Sequence, residues 1–502
     1  MNAPGLLNSL KRTALLAACA VLTACGGGGG GSTPAPADPV SPAPTPVAAV
    51  SLGASPASVT VGQSVTLTWT SQNTGAANCQ ASGAWSGQQA TSGSASVTAA
   101  APAGGFGAAS SATVTYTLTC GNTVGNASVI VNAPPASNLV AVTVDGGPAG
   151  AGNQINLPYV SVTVCRPGTS VCATIDHVLV DTGSYGLRLL AAAPAALGLP
   201  AVTTPSGAAA GECGQFISGY TWGSVVRADL KMGSETAASL PIQLMGDAPG
   251  GVATAPAACS SVGSNLGTLK SLGANGILGV GLLRQDCGAA CVNSAISATY
   301  YSCNSAGGGC TASRMPLASQ VSNPVASFSV NNNGVLLRLP AVPAGGTPTL
   351  TGDLVFGINT GANNTIAGET TYRANSVGNF TTIYKGQTLS ASFIDSGSNG
   401  IFFNDSSLTA CTTSTGFYCP ASPLALSATT VSADGTTSRV IDFTIENVET
   451  YSSSIHAANI GGPSGSVRSG AGNAFDWGLP FFFGRRVFVG MENGAVRGYW
   501  AY

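Results

Sequence analysis

Charged side chains make up only 7% of the 502 residues, 17 Lys+Arg against 19 Asp+Glu, for a formal net charge of −2. The few cations are scattered, which excludes a basic nucleic-acid surface and a charged interaction tail. Histidine occurs only at His177 and His456, and no Gly-x-Ser-x-Gly elbow accompanies either, so serine hydrolysis has little to work with. His177, four residues before Asp181 on one apolar run, reads as a packing residue. No His-Glu-x-x-His pair and no phosphate-binding glycine loop is present. Beyond the N-terminal region, no stretch is long and apolar enough to span a bilayer.

What is abundant is glycine, 68 residues, together with Ala, Ser, Thr and Val. That mixture favours short strands and turns over long helices. The length exceeds what one core supports, so two to four domains are expected. Lys11-Arg12 precede an apolar run from Ala14 to Leu22, which reads as an export signal too short to span. Its end, Leu22-Thr23-Ala24-Cys25, resembles the bacterial lipobox, implying cleavage before Cys25 and lipid on that residue. Gly26 follows, where an Asp would favour inner-membrane retention, so an outer-membrane anchor is expected. Residues 1–25 are thus a lipoprotein signal, and 26–47, rich in Gly and Pro, a spacer with nothing to bury.

Of the 14 cysteines, Cys19 would leave with the signal and Cys25 would carry the anchor. The other twelve fall mostly into local pairs: Cys165/Cys172, Cys287/Cys291, Cys303/Cys310 and Cys411/Cys419. Cys79/Cys120 and Cys213/Cys259 are the plausible longer loops. In an exported protein this is a disulfide set, although the count alone leaves connectivity open. A zinc site is the competing reading. It lacks nearby histidines and paired Cys-x-x-Cys units, so no metal is expected.

From 48 to 133 the chain alternates apolar and polar residues in short runs, such as Val65-Thr66-Leu67-Thr68-Trp69 and Val114 to Cys120. Regular short strands with turns between them predict a β-sandwich, with Trp69 or Trp85 packed near the Cys79/Cys120 pair. The pattern resembles the immunoglobulin-like modules of bacterial surface proteins, and it holds no catalytic grouping. After Pro134-Pro135, further strands run over Val140–Val144 and Pro158–Val164 into a hairpin at Arg166-Pro167-Gly168. Ala191–Leu199 and Leu266–Leu272 read as short helices.

The chemistry is concentrated in two stretches. His177-Val178-Leu179-Val180-Asp181-Thr182-Gly183-Ser184 is loosely repeated as Ala391-Ser392-Phe393-Ile394-Asp395-Ser396-Gly397-Ser398. Each is an apolar run ending in a carboxylate, which is costly to bury without a partner. Two such tips can partner each other. Downstream of the first lies Asn275-Gly276-Ile277-Leu278-Gly279-Val280-Gly281, and downstream of the second Trp477-Gly478-Leu479 with Val487 to Gly494. Together these motifs resemble, in order, the pepsin-like aspartic proteases.

That resemblance covers 138–502, with a first lobe over 138–320 and a second over 321–502. It implies an all-β protein: an immunoglobulin-like sandwich followed by a two-lobed pepsin-like domain with few short helices. Ala326–Val330 and Gly352–Ile358 would open the second lobe. Asp181 and Asp395 would form a catalytic dyad needing no metal or organic cofactor. Thr182 and Ser396 would hold the two loops across the lobe interface. Ser184 and Ser398 would bond the outer carboxylate oxygens, and Gly183 and Gly397 would let backbone N–H groups face the dyad. The flap falls at Gln215–Gly223; Phe216 is nearest the family's tyrosine by spacing, Tyr220 is the nearest of the right type, and Trp222 is a third candidate. Asp476 stands where the family pattern has an apolar residue. The implied partner is a polypeptide substrate or a protein ligand, with the membrane reached through Cys25 and no nucleic acid. A pepsin-fold binding or adhesion lipoprotein with weak or no activity is the alternative.

Overall fold

The computed structural model describes residues 46–100, 111–132, 138–464, 473–494 and 496–502. The signal, Cys25, nearly all of the spacer and the Pro134-Pro135 junction lie outside the described residues. Almost everything described is strand or turn; the α-helices are Ala257–Ser260, Leu269–Leu272 and Ala289–Asn293. None is long and apolar enough to cross a membrane.

The alternation over 48–133 produces two packed sheets. One holds Ala49–Ser55, Ser64–Gln72 and Ser92–Thr98, and the other five strands include Ser111–Cys120 and Thr123–Asn132. Val65, Leu67 and Trp69 point inward from successive odd positions of one strand, as period-two patterning dictates. They meet Tyr116, Leu118, Val129 and Val131 from the other sheet. Trp69 stands edge-on to Trp85 at 5.4 Å, and each indole N–H donates to a backbone carbonyl. Cys79–Cys120 links neighbouring strands of one sheet, where Gln80 pairs with Thr119.

The rest of the chain is two β-lobes joined by a continuous sheet. Leu139–Val144 pairs on one edge with Pro158–Cys165 and on the other with Leu350–Phe356, so the first strand of one lobe is bonded to the second. Pro158–Cys165 turns back into Cys172–Asp181 with Cys165 opposite Cys172, and a disulfide closes that rung. A separate seven-stranded sheet forms the outer part of the second lobe and contains Gln387–Ile394, the strand leading to Asp395. The apolar core runs through both lobes, from Val178, Val180 and Leu278 to Ile394, Phe403, Phe475 and Trp477. All six expected disulfides are formed, including Cys213–Cys259, Cys287–Cys291, Cys303–Cys310 and Cys411–Cys419.

Ala326–Val330, at the opening of the second lobe, begins within the 3-10 turn Pro324–Ser327, which Asn323 caps, and the lobe's first strand follows at Gly334–Arg338. Two local expectations are corrected. Within Ala191–Leu199 only Ala195–Leu197 is helical, because Pro194 interrupts the segment. The Leu266–Leu272 helix shrinks to Leu269–Leu272, with Thr268 accepting from the Ser271 N–H and Gly273 left-handed at its end.

Candidate active site

Asp181 is the last residue of its strand, and Gly276–Val280 runs parallel behind it with Asp181 opposite Gly279. A Cβ on Gly279 would stand 2.6 Å from the Tyr185 nitrogen, so the close passage requires glycine. The second half repeats the device. Asp476–Trp477 runs parallel to the end of the Asp395 strand, with Phe393 opposite Asp476 and Ile394 opposite Trp477. A Cβ on Gly478 would fall 2.0 Å from the Gly400 carbonyl.

The two loops face each other closely enough for each glycine to touch the opposite carboxyl. A Cβ on Gly183 would lie 2.6 Å from Asp395 Cγ, and one on Gly397 would lie 3.0 Å from Asp181 Cγ. The Gly183 and Gly397 N–H groups each donate to the inner oxygen of their own aspartate at 2.8 Å. Ser184 donates to Asp181 Oδ2 at 2.5 Å and Ser398 to Asp395 Oδ2 at 2.9 Å. Across the interface the hydroxyls cross over. Ser396 Oγ accepts from the Thr182 N–H at 3.1 Å and donates to the Val180 carbonyl at 2.7 Å. Thr182 Oγ1 accepts from the Ser396 N–H at 2.9 Å and donates to the Ile394 carbonyl at 3.2 Å. These four bonds are buried, so they fix the spacing of the carboxyls with little competition from water.

Burial, then the charges of Asp181 and Asp476, push the Asp395 carboxyl well above the ordinary carboxylate range. The carboxyls of Asp181 and Asp395 are within hydrogen-bonding reach, the condition for a pair to share one proton. Tyr185, the residue after the first loop, lies beside them. Burial and the charges of Asp181, Glu492 and Asp395 push its phenol up to about 12.

Both aspartates open into a cleft of about 430 Å³ between the lobes. Its apolar walls include Leu179 and Ile277 from the first half and Phe393 and Phe402 from the second. The hairpin of Ala209–Phe216 and Gly219–Met232 reaches over it, and Gln215, Phe216, Ile217 and Ser218 line the cleft from its tip. Of the three flap candidates, Phe216 lines the cleft. Tyr220 and Trp222 do not: Trp222 is buried against Tyr301 and the Cys213–Cys259 and Cys303–Cys310 bridges, and Tyr220 packs on that cluster. Side-chain type misleads there because strand alternation turns both rings to the face away from the dyad.

A family model described as "Protein of unknown function (DUF3443)" matches residues 134–502. The chain belongs to this family. The match takes in both lobes and both aspartates and begins after the sandwich, so the DUF3443 region is the two-lobed domain. No curated protein matches the chain. Among solved structures, the aspartic proteinase from Irpex lacteus matches with 18% identity and a TM-score of 0.41, over 72% of this chain and 96% of that one.

The flap of the DUF3443 domain is braced on both edges. Ala209–Phe216 pairs with Tyr300–Asn304, and beyond the tip Gly219 pairs with Ser264 so closely that a Cβ would stand 2.0 Å from the Ser264 carbonyl. Under the flap lies a charge cluster that the sequence reading did not single out. Arg188, six residues after Thr182, donates to Glu212 of the flap at 2.5 Å and stands 3.7 Å from Asp286. Its other terminal nitrogen donates to the Tyr185 carbonyl at 2.7 Å, and the guanidinium lies 5.7 Å from the Phe216 ring centre. Burial disfavours the charged form of Arg188, but Glu212 and Asp286 outweigh it and raise the guanidinium above its usual range. Burial, followed by Glu212, pushes Asp286 well above the carboxylate range, while Tyr300 donates to it at 2.6 Å. The only early signal was a lone arginine inside the apolar run Leu187–Leu190.

Neither histidine lines the cleft. His177 lies 3.5 Å from Asp145 and edge-on to Tyr159, and His456 bonds the Gln154 carbonyl. The cysteines beside Glu449 that bring potential ligand atoms together are Cys411 and Cys419. They are joined to each other, so they offer no thiolate.

Proposed function

We propose that the two-lobed domain is an aspartic endopeptidase in which Asp181 and Asp395 act as one acid–base unit. The observation that carries this reading is the mutual approach of the two carboxyls, each held by its own Gly N–H and Ser hydroxyl. With one proton between them, the ionised member takes a proton from water as its oxygen bonds to the amide carbon. The protonated member gives its proton to the carbonyl oxygen. The tetrahedral adduct then collapses, the C–N bond breaks, and the leaving nitrogen takes up a proton. Phe393, Phe402, Leu179 and Ile277 favour apolar side chains on either side of the cleaved bond.

The brace on both edges of the flap favours a second reading, a protein that binds an extended segment and releases it uncut. One assay separates the two. Denatured protein is incubated with the purified chain from acid to neutral pH, with and without a statine-type transition-state mimic. Cleavage that the mimic abolishes supports the peptidase; binding of the mimic without any cleavage supports the second reading.

The six disulfides favour an oxidising, exported setting, and we assign the anchor to Cys25, with the spacer holding the folded region away from a membrane. Cys25→Ser is expected to abolish lipid labelling and to shift the protein from the detergent phase to the aqueous phase. Unchanged partitioning after signal cleavage would refute the anchor.

A further inference from the structure

The two halves differ at one rung beside the dyad. In the first half, Leu179, Ile277 and Arg188 lie side by side across three strands. The same rung in the second half is Phe393, Asp476 and Phe402. A carboxyl thus occupies the place of Ile277, two residues' length behind the catalytic aspartate and on the face that Phe393 and Phe402 present to the cleft. Asp476 is only 5% exposed, and its Oδ1 has no hydrogen-bond partner.

Close by, the Ser398 hydroxyl donates to Asp395 Oδ2 at 2.9 Å. The ionisable groups facing Asp476 are Asp181 and Asp395, both acidic, with no cation among them, while Phe393 and Phe402 flank it.

We propose that Asp476 is a third carboxyl of the site, a buried acid beside Asp395 that extends the working range of the dyad toward neutral pH. This rests on the endopeptidase reading. Consistent with the geometry, burial raises Asp476 to about 8, Ser398 opposes the rise and the charge of Asp181 adds to it. Once it ionises, Asp476 adds to the negative charge that holds the proton on Asp395, so removing it lets the dyad lose its last proton at lower pH.

Two measurements test this, one independent of activity. A carboxyl raised in the folded state adds stability below its unfolded value, and that stability is lost as pH rises toward the folded value. Asp476→Asn, which keeps the shape and carries no titrating proton, cannot lose that stability. Its melting temperature relative to wild type is therefore expected to rise progressively from about pH 4 to about pH 8. Asp476→Ile, carrying the residue of the first half, should show the same trend from a different starting stability. A gap constant with pH in both variants would overturn the proposal.

In the peptidase assay, the alkaline limb of kcat/KM for Asp476→Asn should move to lower pH with the acid limb in place. Half a pH unit would lower activity about threefold at the alkaline edge. An unmoved alkaline limb in an active enzyme would also overturn the proposal. If wild type cleaves nothing but the stability gap opens as expected, the endopeptidase reading fails while Asp476 is still a protonated member of the cluster.

Discussion

Asp181→Asn, Asp395→Asn and the double variant are each expected to reduce peptide hydrolysis to the same floor, a loss on the order of 10⁴-fold or more. Groups that act as a unit are non-additive, because either carboxyl alone can neither share the proton nor divide acid and base roles. Asparagine keeps the shape of each side chain and can still accept from Gly183 or Gly397, so the variants should remain folded. Circular dichroism and a melting curve check that point. Single variants that retain activity, or a double variant far below both singles, would refute a shared site. Ser396→Ala should behave differently. It removes the acceptor of the Thr182 N–H and the donor to the Val180 carbonyl, so the loss should appear in stability as well as rate.

The second large effect is expected at Arg188. Arg188→Met leaves Glu212 fully buried without its cation, and breaking a buried pair in this way costs about 3–5 kcal/mol. Denaturant titration at neutral pH should read that loss directly. The gap from wild type should narrow toward about pH 4, because carboxyls left without a cation can be neutralised by protons there. Adding Glu212→Gln to Arg188→Met should recover a large part of the stability, since the uncompensated charge is then gone. Because Arg188 ties the flap strand to the Tyr185 carbonyl beside the dyad, kcat/KM should fall even where the variant is fully folded. Full stability of Arg188→Met would show that the cluster is hydrated and carries no such role.

Much of this arrangement is legible in the chain itself, for local physical reasons. An apolar run ending in Asp-(Thr/Ser)-Gly-Ser reads alone as a strand and its turn, and it is the repetition in matching context that points to two buried carboxyls paired with each other. Close sequence pairs of cysteines leave so little freedom that Cys165–Cys172 and its counterparts are read correctly from spacing. Alternation over 48–133 likewise dictates a sandwich with Val65, Leu67 and Trp69 inside.

What spacing does not contain is the direction in which a side chain finally points among distant neighbours. Tyr220 and Phe216 are both aromatic and four residues apart, and only the hairpin's register with Tyr300–Asn304 and Ser264 sends one to the cleft and the other to a disulfide-lined core. Arg188, Glu212 and Asp286 are separated by 24 and 74 residues (212 − 188 and 286 − 212), and packing alone brings them into one buried cluster. Asp476 shows the boundary most sharply. From sequence it is only a misfit in an apolar pattern. In the folded chain its strand runs beside Phe393 and Phe402, where water is excluded and a carboxyl must find a donor, an acceptor or a proton.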